Sequence, residues 1–437
     1  MLGYYWSLAM RSMWRSRVLT ALMVMAIGLG IGASMTMLTV LHVMSGDPLP
    51  GRSHLLFYPH LDPLPLKYSS PAEYSASDNL TWPDAMALLS AHRATRQAAM
   101  AGGEVLVREP LRDGSPFRVE GRYTTADFFA MFGVPFAAGE GWSADDDAAR
   151  AHVVVLSTEL ARRLFGDRNP LGRTVRLEDA DFRVVGVIAN WEPEPLFYAD
   201  SVSRAFGKSD AFFLPLGAAV DLKLSGNGNF SGWGRNDDES TRMISPTTSW
   251  LQFWVQLDNA TSVGAYRQFL VDYSAQQQAL GRFERPASSA RLDTLAQRLE
   301  HQHLVPGDVR LQLWLALSFL VVCVLNIVAL LLAKFLRRSG ELSVRRALGA
   351  RRRDIFLQLG TEALVIGVLG GVLGLLLAQA GLWSVRQRPD DYAQLASMDA
   401  SMLATTFALS VVACLFAGFV PAWRASRVPP ALQMKQL

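Results

Sequence analysis

Four apolar runs decide what this chain can fold into. They are "TALMVMAIGLGIGASMTMLTVLHV" (Thr20–Val43), "LQLWLALSFLVVCVLNIVALLLA" (Leu311–Ala333), "LQLGTEALVIGVLGGVLGLLLAQAGLW" (Leu357–Trp383) and "SMLATTFALSVVACLFAGFV" (Ser401–Val420). A bilayer-spanning helix needs about 20 apolar residues, and core helices of water-soluble domains seldom reach such length without charge. Charged residues make up 19% of the 437, against roughly 25% in an ordinary soluble domain. The first run follows Arg11, Arg15 and Arg17, as a signal peptide would. It far exceeds the roughly 7–15 residues of a signal h-region and reads as an uncleaved anchor.

Basic residues orient the runs, because Lys and Arg collect on the cytoplasmic side. Arg11, Arg15 and Arg17 put the N-terminus inside. Lys334, Arg337, Arg338, Arg345, Arg346, Arg351, Arg352 and Arg353 put the link between runs two and three inside, as Arg424, Arg427 and Lys435 do the tail. "SVRQRPDDYAQLASMDA" has balanced charge and fits outside. The expected organisation is a cytoplasmic segment over 1–19, a helix over 20–44, an extracytoplasmic domain over 45–308, a helix over 309–335 and a cytoplasmic segment over 336–355. A helix over 356–384, an outer loop over 385–400, a helix over 401–423 and a tail over 424–437 complete it. The fold class is an integral membrane α-helical protein with four transmembrane helices and a large α+β extracytoplasmic domain between helices 1 and 2. Cys323 and Cys414 both fall in predicted membrane helices, so no disulfide staples the outer domain. The net charge of +3 sits at membrane ends and calls for lipid, not nucleic acid.

The outer domain reads clearly in places. "VVVLS" is a buried strand, Ser157 a good N-cap, and "TELARRLFG" one amphipathic helix ending at Gly166. "TVRLEDADFRVVGVIA" is a hairpin. "WPDAMALLSAHRATRQ" and "SVGAYRQFLVDYSAQQQALG" read as helices, "GGEVLVREP" and "SPFRVEGRYT" as strands around Asp113-Gly114, and "WLQFWVQLD" as an aromatic strand. Residues 191–250 loosen into Gly-, Asn- and Ser-rich stretches, read as long loops or an inserted lobe. "ARLDTLAQRLEHQHLVPGDVRLQLWLAL" reads as a helix running up to the membrane, interrupted near Pro306-Gly307.

Catalytic and metal motifs are missing from the sequence. Gly207-Lys208-Ser209 ends like a phosphate loop, but Val202 stands where its first glycine must be. No nucleophile elbow and no H-E-x-x-H helix occur. His301 and His303 point to different faces of a helix and lack further ligands. Asp145-Asp146-Asp147 reads as a solvated run. Inside the apolar runs, Asn326 can hydrogen-bond between helices, and Glu362 reads as a structural or interfacial group reaching water or a nearby arginine. Gly28, Gly30 and Gly32 stripe run one. Gly367, Gly370, Gly371 and Gly374 stripe run three at the small-xxx-small spacing of close helix packing.

Between runs two and three lies "ELSVRRALGARRRDI". Leu342, Val344, Ala347 and Leu348 can fill an apolar groove while Arg345, Arg346 and Arg351 meet acidic groups or lipid phosphates, and Gly349 permits a turn. This block, continued as "FLQLGTEALVIGVLGGVLG", resembles the permease core of the MacB-like permeases of ABC transporters, the mechanotransmission group related to FtsX and to lipoprotein-releasing permeases. "VVVLSTELARRLFGDRNPLGRTVRLEDADFRVVGVI" is similar to that family's periplasmic core domain. "TTADFFAMFGVPFAAGEGW" resembles the segment before it, with Gly139-Glu140-Gly141-Trp142 where an Arg-containing G-R-x-F is more usual. "PAWRASRVPPALQMKQL" resembles its C-terminal end.

The resemblance implies a noncatalytic permease subunit of the bacterial inner membrane. It implies an ATPase-coupling element at Glu341, Leu342, Val344, Arg345, Arg346, Leu348, Gly349 and Arg351. ATP and Mg would be held by a cytoplasmic ABC ATPase subunit, this chain carrying no cofactor. The family's namesake fuses its ATPase before the first helix, whereas about 19 residues precede run one here, so a separate ATPase subunit is expected. A second permease copy or a paralogue, and a periplasmic adaptor, complete the implied assembly. Export of a periplasmic substrate is the leading expectation. The alternatives are FtsX-like activation of a cell-wall hydrolase and lipoprotein release.

Overall fold

A computed structural model describes residues 14, 16–68, 78–108, 115–198, 205–234, 241–302, 307–337, 351–387 and 400–427. The expected coupling residues Glu341 to Gly349, the Asp113-Gly114 turn, His303, Pro306, Arg11, Arg15, the outer loop after run three and the last ten residues lie outside these. The chain divides into two compact units, Gly46–Leu304 on one hand and Met1–Ser45 with Val305–Leu437 on the other.

The second of these holds four long helices: α1 (Arg17–Met44), then, after the outer unit, α9 (Gly307–Arg337), α10 (Arg352–Arg386) and α11 (Ala400–Arg427). All four are long and apolar enough to cross a membrane. Helices α9 and α10 occupy opposite corners, each packing on both α1 and α11, which also touch one another. Met23, Ile27 and Ile31 of α1, Ile327 and Leu331 of α9, Leu359 and Ile366 of α10 and Ala417 of α11 share one core.

The outer unit is built on a mixed sheet in the order β12-β1-β11-β3-β4-β9-β6-β8-β5. Its strands are β1 (Leu56–His60), β3 (Arg96–Val107), β4 (Phe117–Thr124), β5 (Phe136–Gly139), β6 (Val153–Ser157), β8 (Ala180–Ile188), β9 (Phe212–Pro215), β11 (Thr248–Gln256) and β12 (Arg291–Thr294). Three short strands attach beside them: β2 (Leu80–Thr81), β7 (Thr174–Leu177) and β10 (Ser231–Gly232). Pairing is antiparallel except β4 with β9 and β6 with β8. The β6–β8 connection runs through α5 (Thr158–Phe165), whose N-cap Ser157 accepts from Leu160 N–H at 3.2 Å. Gly166 follows at positive φ. Helix α2 (Trp82–Ala91) carries Pro83 in its first turn and Thr81 as N-cap. Helix α7 (Ala260–Ala279) is capped by a reciprocal Asn259–Ser262 pair.

Two local expectations give way here. The 191–250 stretch is not all loop. It supplies β9, an interior strand between β4 and β6, and α6 (Leu216–Asp221). Trp191 stacks on Tyr198, and Phe197 packs edge-on against Trp254 of β11. Asp210 pairs with buried Arg122 of β4 at 2.7 Å. The sequence before run two, read as a helix, opens with β12, which pairs with β1 before α8 (Leu295–His301) begins.

Candidate coupling site

The candidate site is the end of the bundle where α9 leaves for the segment expected to dock an ATPase and α10 returns from it. Helix α10 starts after Arg351, whose backbone N–H donates to Asp354 Oδ2 at 3.1 Å, and Asp354 lies in the first turn, where it complements the helix dipole. Of the expected coupling residues, Arg351 alone is described, and its side chain is exposed at the N-cap.

One turn from the end of α9, Lys334 forms an ion pair with Glu362 of α10, each side chain 3% exposed. Sequence reasoning separated these residues. It gave Lys334 to the cytoplasmic surface and sent Glu362 to water or an arginine of the preceding loop. The structure pairs the two and buries both at the level of the core that holds Leu331, Phe335, Leu359 and Ala363. A carboxylate one-third of the way along an apolar helix was visible in the sequence; its partner was not, because Lys334 closes an apolar run and resembles any flanking charge.

All seven striped glycines sit at helix contacts. Cβ atoms added at Gly28 and Gly32 would lie 2.7 Å from side-chain atoms of Leu373 and Leu377 of α10. Gly370 and Gly374 face Ile27 and Ile31 of α1 in return, at 2.5 and 3.0 Å. Gly30 instead meets Leu320 and Cys323 of α9, and Gly367 and Gly371 meet Cys414 and Ser410 of α11. The stripes therefore serve three seams, the tightest being α1 with α10. Ser34 Oγ donates to the Ala316 carbonyl of α9 at 3.1 Å. Asn326 is exposed on the outer face of α9 and makes no interhelical hydrogen bond among the described residues.

In the outer unit, the strand that follows α1 and the elements that precede α9 are held together. Strand β1 pairs with β12 from Phe57↔Thr294 to His60↔Arg291. Arg298 of α8 donates to Asp78 at 2.5 Å and lies over the Tyr58 ring at 4.2 Å. His60 stands 3.4 Å from the same Asp78. Burial pushes the His60 pKa down to about 4, outweighing the pull of Asp78 in the other direction. His301 contacts Asp293 at 3.1 Å. The Asp145-Asp146-Asp147 run is not simply solvated: it opens α4 (Ala144–Ala148), and Asp147 accepts from Ala126 N–H at 2.6 Å and Trp142 Nε1 at 2.8 Å. The described residues contain no cluster of three metal-ligating side chains.

Residues 20–272 match the MacB-like periplasmic core domain, and residues 314–430 match the FtsX-like permease C-terminal domain. A pyoverdine export ATP-binding/permease protein of Pseudomonas syringae pv. tomato is 26% identical, over 97% of this chain and 58% of its own length. A macrolide export ATP-binding/permease protein of Bdellovibrio bacteriovorus is 25% identical, over 67% of this chain and 40% of its own. The chain thus spans 58% and 40% of the length of these two relatives. The periplasmic region of MacB from Actinobacillus actinomycetemcomitans aligns with 60% of this chain and 99% of its own, at 13% identity and a TM-score of 0.37. With both family domains present in order, joined to four membrane-length helices, the chain belongs to the MacB-like, FtsX-like family of ABC transporter permeases, as a multi-pass bacterial inner-membrane protein with a large periplasmic domain.

Proposed function

We propose that this chain couples ATP hydrolysis by an ABC ATPase to a conformational change of its periplasmic domain, and that this change drives export of a periplasmic substrate through an adaptor. The carrying observation is the pairing of β1 with β12. The strand arriving from α1 and the strand departing toward α9 are neighbours in one ribbon, so displacement of either helix reaches the same edge of the sheet. ATP and Mg bind the ATPase. The segment from Glu341 to Arg351 docks on it, its apolar residues in a groove and its arginines on acidic rims or lipid phosphates. The names of the relatives, pyoverdine and macrolide export proteins, favour a small-molecule cargo over a lipoprotein.

A second copy or a paralogue completes the bundle. Helix α9 is the least covered of the four. Leu311, Leu315, Ser318, Val322, Leu325 and Ala329 form an exposed stripe with alternating spacings of four and three, and Asn326 lies at its edge. This is the seam of a left-handed helix pair, and an exposed amide in hydrocarbon gains from a partner.

The test is purification of the tagged chain from its native host in mild detergent. Recovery of a stoichiometric Walker-motif ATPase, lost in the Arg345→Ala/Arg346→Ala/Leu348→Ala variant, supports the reading. A folded chain that never brings down an ATPase sinks it. A cell-wall hydrolase in place of an adaptor in the same preparation transfers the output from export to signalling.

A further inference from the structure

We propose that Arg52 is a positioning residue of the coupling path. It ties the segment leaving α1 to the C-terminal end of α3 (Asp127–Phe132), so that displacement of α1 reaches the far edge of the sheet as well as the near one; the functional part of this rests on the coupling reading above. Arg52 lies between Met44, the last residue of α1, and the start of β1. Its Nη1 donates to the Ala130 carbonyl at 3.1 Å, 78 positions away in the chain. The guanidinium also lies against Gly133, where an added Cβ would come within 2.8 Å of its Cζ. Gly133 closes α3 in the left-handed conformation, at φ 66°. The last carbonyls of a helix lack partners within it and carry the negative end of its dipole, so a cation that donates there is well placed.

Both ends of this tie are held. The Arg52 N–H donates to the Leu49 carbonyl and the Arg52 carbonyl accepts from Leu55 N–H, each at 2.9 Å. Asp47 Oδ1 accepts from Leu49 N–H at 3.1 Å. At the other end of α3, Ala126 N–H donates to Asp147 at 2.6 Å, and Asp127 accepts from Gln97 N–H of β3 at 3.0 Å. Phe128, Phe129 and Phe132 bury the inner face of α3. The order of the sheet gives the tie its consequence. Strand β1 lies next to one end of that order, whereas β5, the strand that follows α3, is the other end. Ladder bonds alone pass a displacement of β1 to β5 strand by strand. The aromatic core offers a shorter route, with Tyr58 of β1 edge-on to Trp254 at 5.1 Å and Trp254 edge-on to Phe132 at 6.1 Å. Arg52 adds a directional, charge-assisted bond that starts in the linker itself, ahead of the first strand. A single exposed hydrogen bond adds little to stability, so its loss is read in motion and not in melting.

Two pairs of spin labels read the tie and what it transmits. His54 in the linker, Ala137 on β5 and Trp383 toward the outer end of α10 are all exposed. In a Cys323→Ala/Cys414→Ala background, His54→Cys/Ala137→Cys and Ala137→Cys/Trp383→Cys are labelled, and distances are measured in nanodiscs on the native complex with and without Mg·AMP-PNP. The expected His54–Ala137 distribution is narrow and unmoved by nucleotide, while the Ala137–Trp383 distance shifts when nucleotide binds. Arg52→Met should broaden the first distribution and lose most of the second shift, and Arg52→Lys, which keeps a cationic donor, should recover both. A His54–Ala137 distance that moves with nucleotide in the parent overturns the proposal. So does an Arg52→Met variant that behaves as the parent, or a defect that Arg52→Lys fails to mend. Should Arg52→Met fail to fold, the parent decides alone: a fixed His54–Ala137 distance beside a shifting Ala137–Trp383 distance supports the tie, and a moving one overturns it. If no ATPase accompanies the chain, or nucleotide leaves Ala137–Trp383 unmoved in the parent, the coupling reading fails, while the nucleotide-free His54–Ala137 widths of parent and variants still judge the tie.

Discussion

Single side chains in the interior divide into those that resist a loss of partner and those that respond to pH. Lys334→Met removes the ammonium that pairs with the buried Glu362 carboxylate across α9 and α10. Breaking a buried ion pair by removing one partner costs about 3–5 kcal/mol. A thermal melt in detergent should show that variant well below the parent, with Lys334→Met/Glu362→Leu near or above it. Asp147 responds to pH. Burial, the dominant cause, raises its carboxyl to about 6 despite the hydrogen bonds from Ala126 and Trp142 that favour the anion. Its folded pKa exceeds the unfolded value, so its contribution is full below about pH 4 and is lost as pH rises through 6. Two pKa units correspond to about 3 kcal/mol. Urea melts of the full chain should show that Asp147→Asn removes a loss of stability between pH 4 and 6. His60 acts with the opposite sign. Its neutral form is favoured when folded, so its stabilisation is complete above pH 6.5 and fades as pH falls toward 4.

At the scale of elements, glycine marks where two helices touch and where one stands alone. A Cβ at Gly32 would meet the Leu377 side chain at 2.7 Å and the Gly374 carbonyl at 3.2 Å, and the carbonyl cannot rotate away. Gly32→Val should part α1 from α10 at a cost of about 1–3 kcal/mol, typical of overpacking. Gly264 lies in the second turn of α7 with nothing within 4 Å of an added Cβ. Gly264→Ala should therefore stabilise by about 0.5–1 kcal/mol through helix propensity alone. Unfolding midpoints for the two variants should move in opposite directions. Such local features were also those legible in the sequence. Ser157 and Gly166 bracket α5 because capping is a matter of three or four residues, and the four apolar runs announce themselves by length. Strand β12 was illegible because "LDTLAQRLEH" carries a helical period, and only pairing with β1, over 230 residues away in the chain, makes its first residues extended. Strand β9 was hidden for the same reason, its neighbours β4 and β6 being supplied by distant segments. The Lys334–Glu362 pair depends on which helices share a diagonal, and hydropathy does not encode that.

For the molecule as a whole, the decisive question for the proposed coupling is whether β1 and β12 separate during an ATP-driven cycle. If the outer domain receives motion through one ribbon, the two strands stay paired and the sheet edge moves as a unit. A disulfide between Phe57→Cys and Thr294→Cys tests this. The two positions face each other across an antiparallel pair, where Cα atoms lie about 4.5–5.5 Å apart, within the range a disulfide accepts. The periplasm oxidises such a pair, and the native Cys323 and Cys414 are buried in the bundle. Truncating Phe57, 8% exposed, costs some packing, so the reduced form of the same variant is the control. Export measured in cells, or ATPase turnover of the purified complex, should be equal in the oxidised and reduced forms. Loss of activity on oxidation alone would mean that β1 and β12 part at some step, and that the two helices act on the outer domain separately.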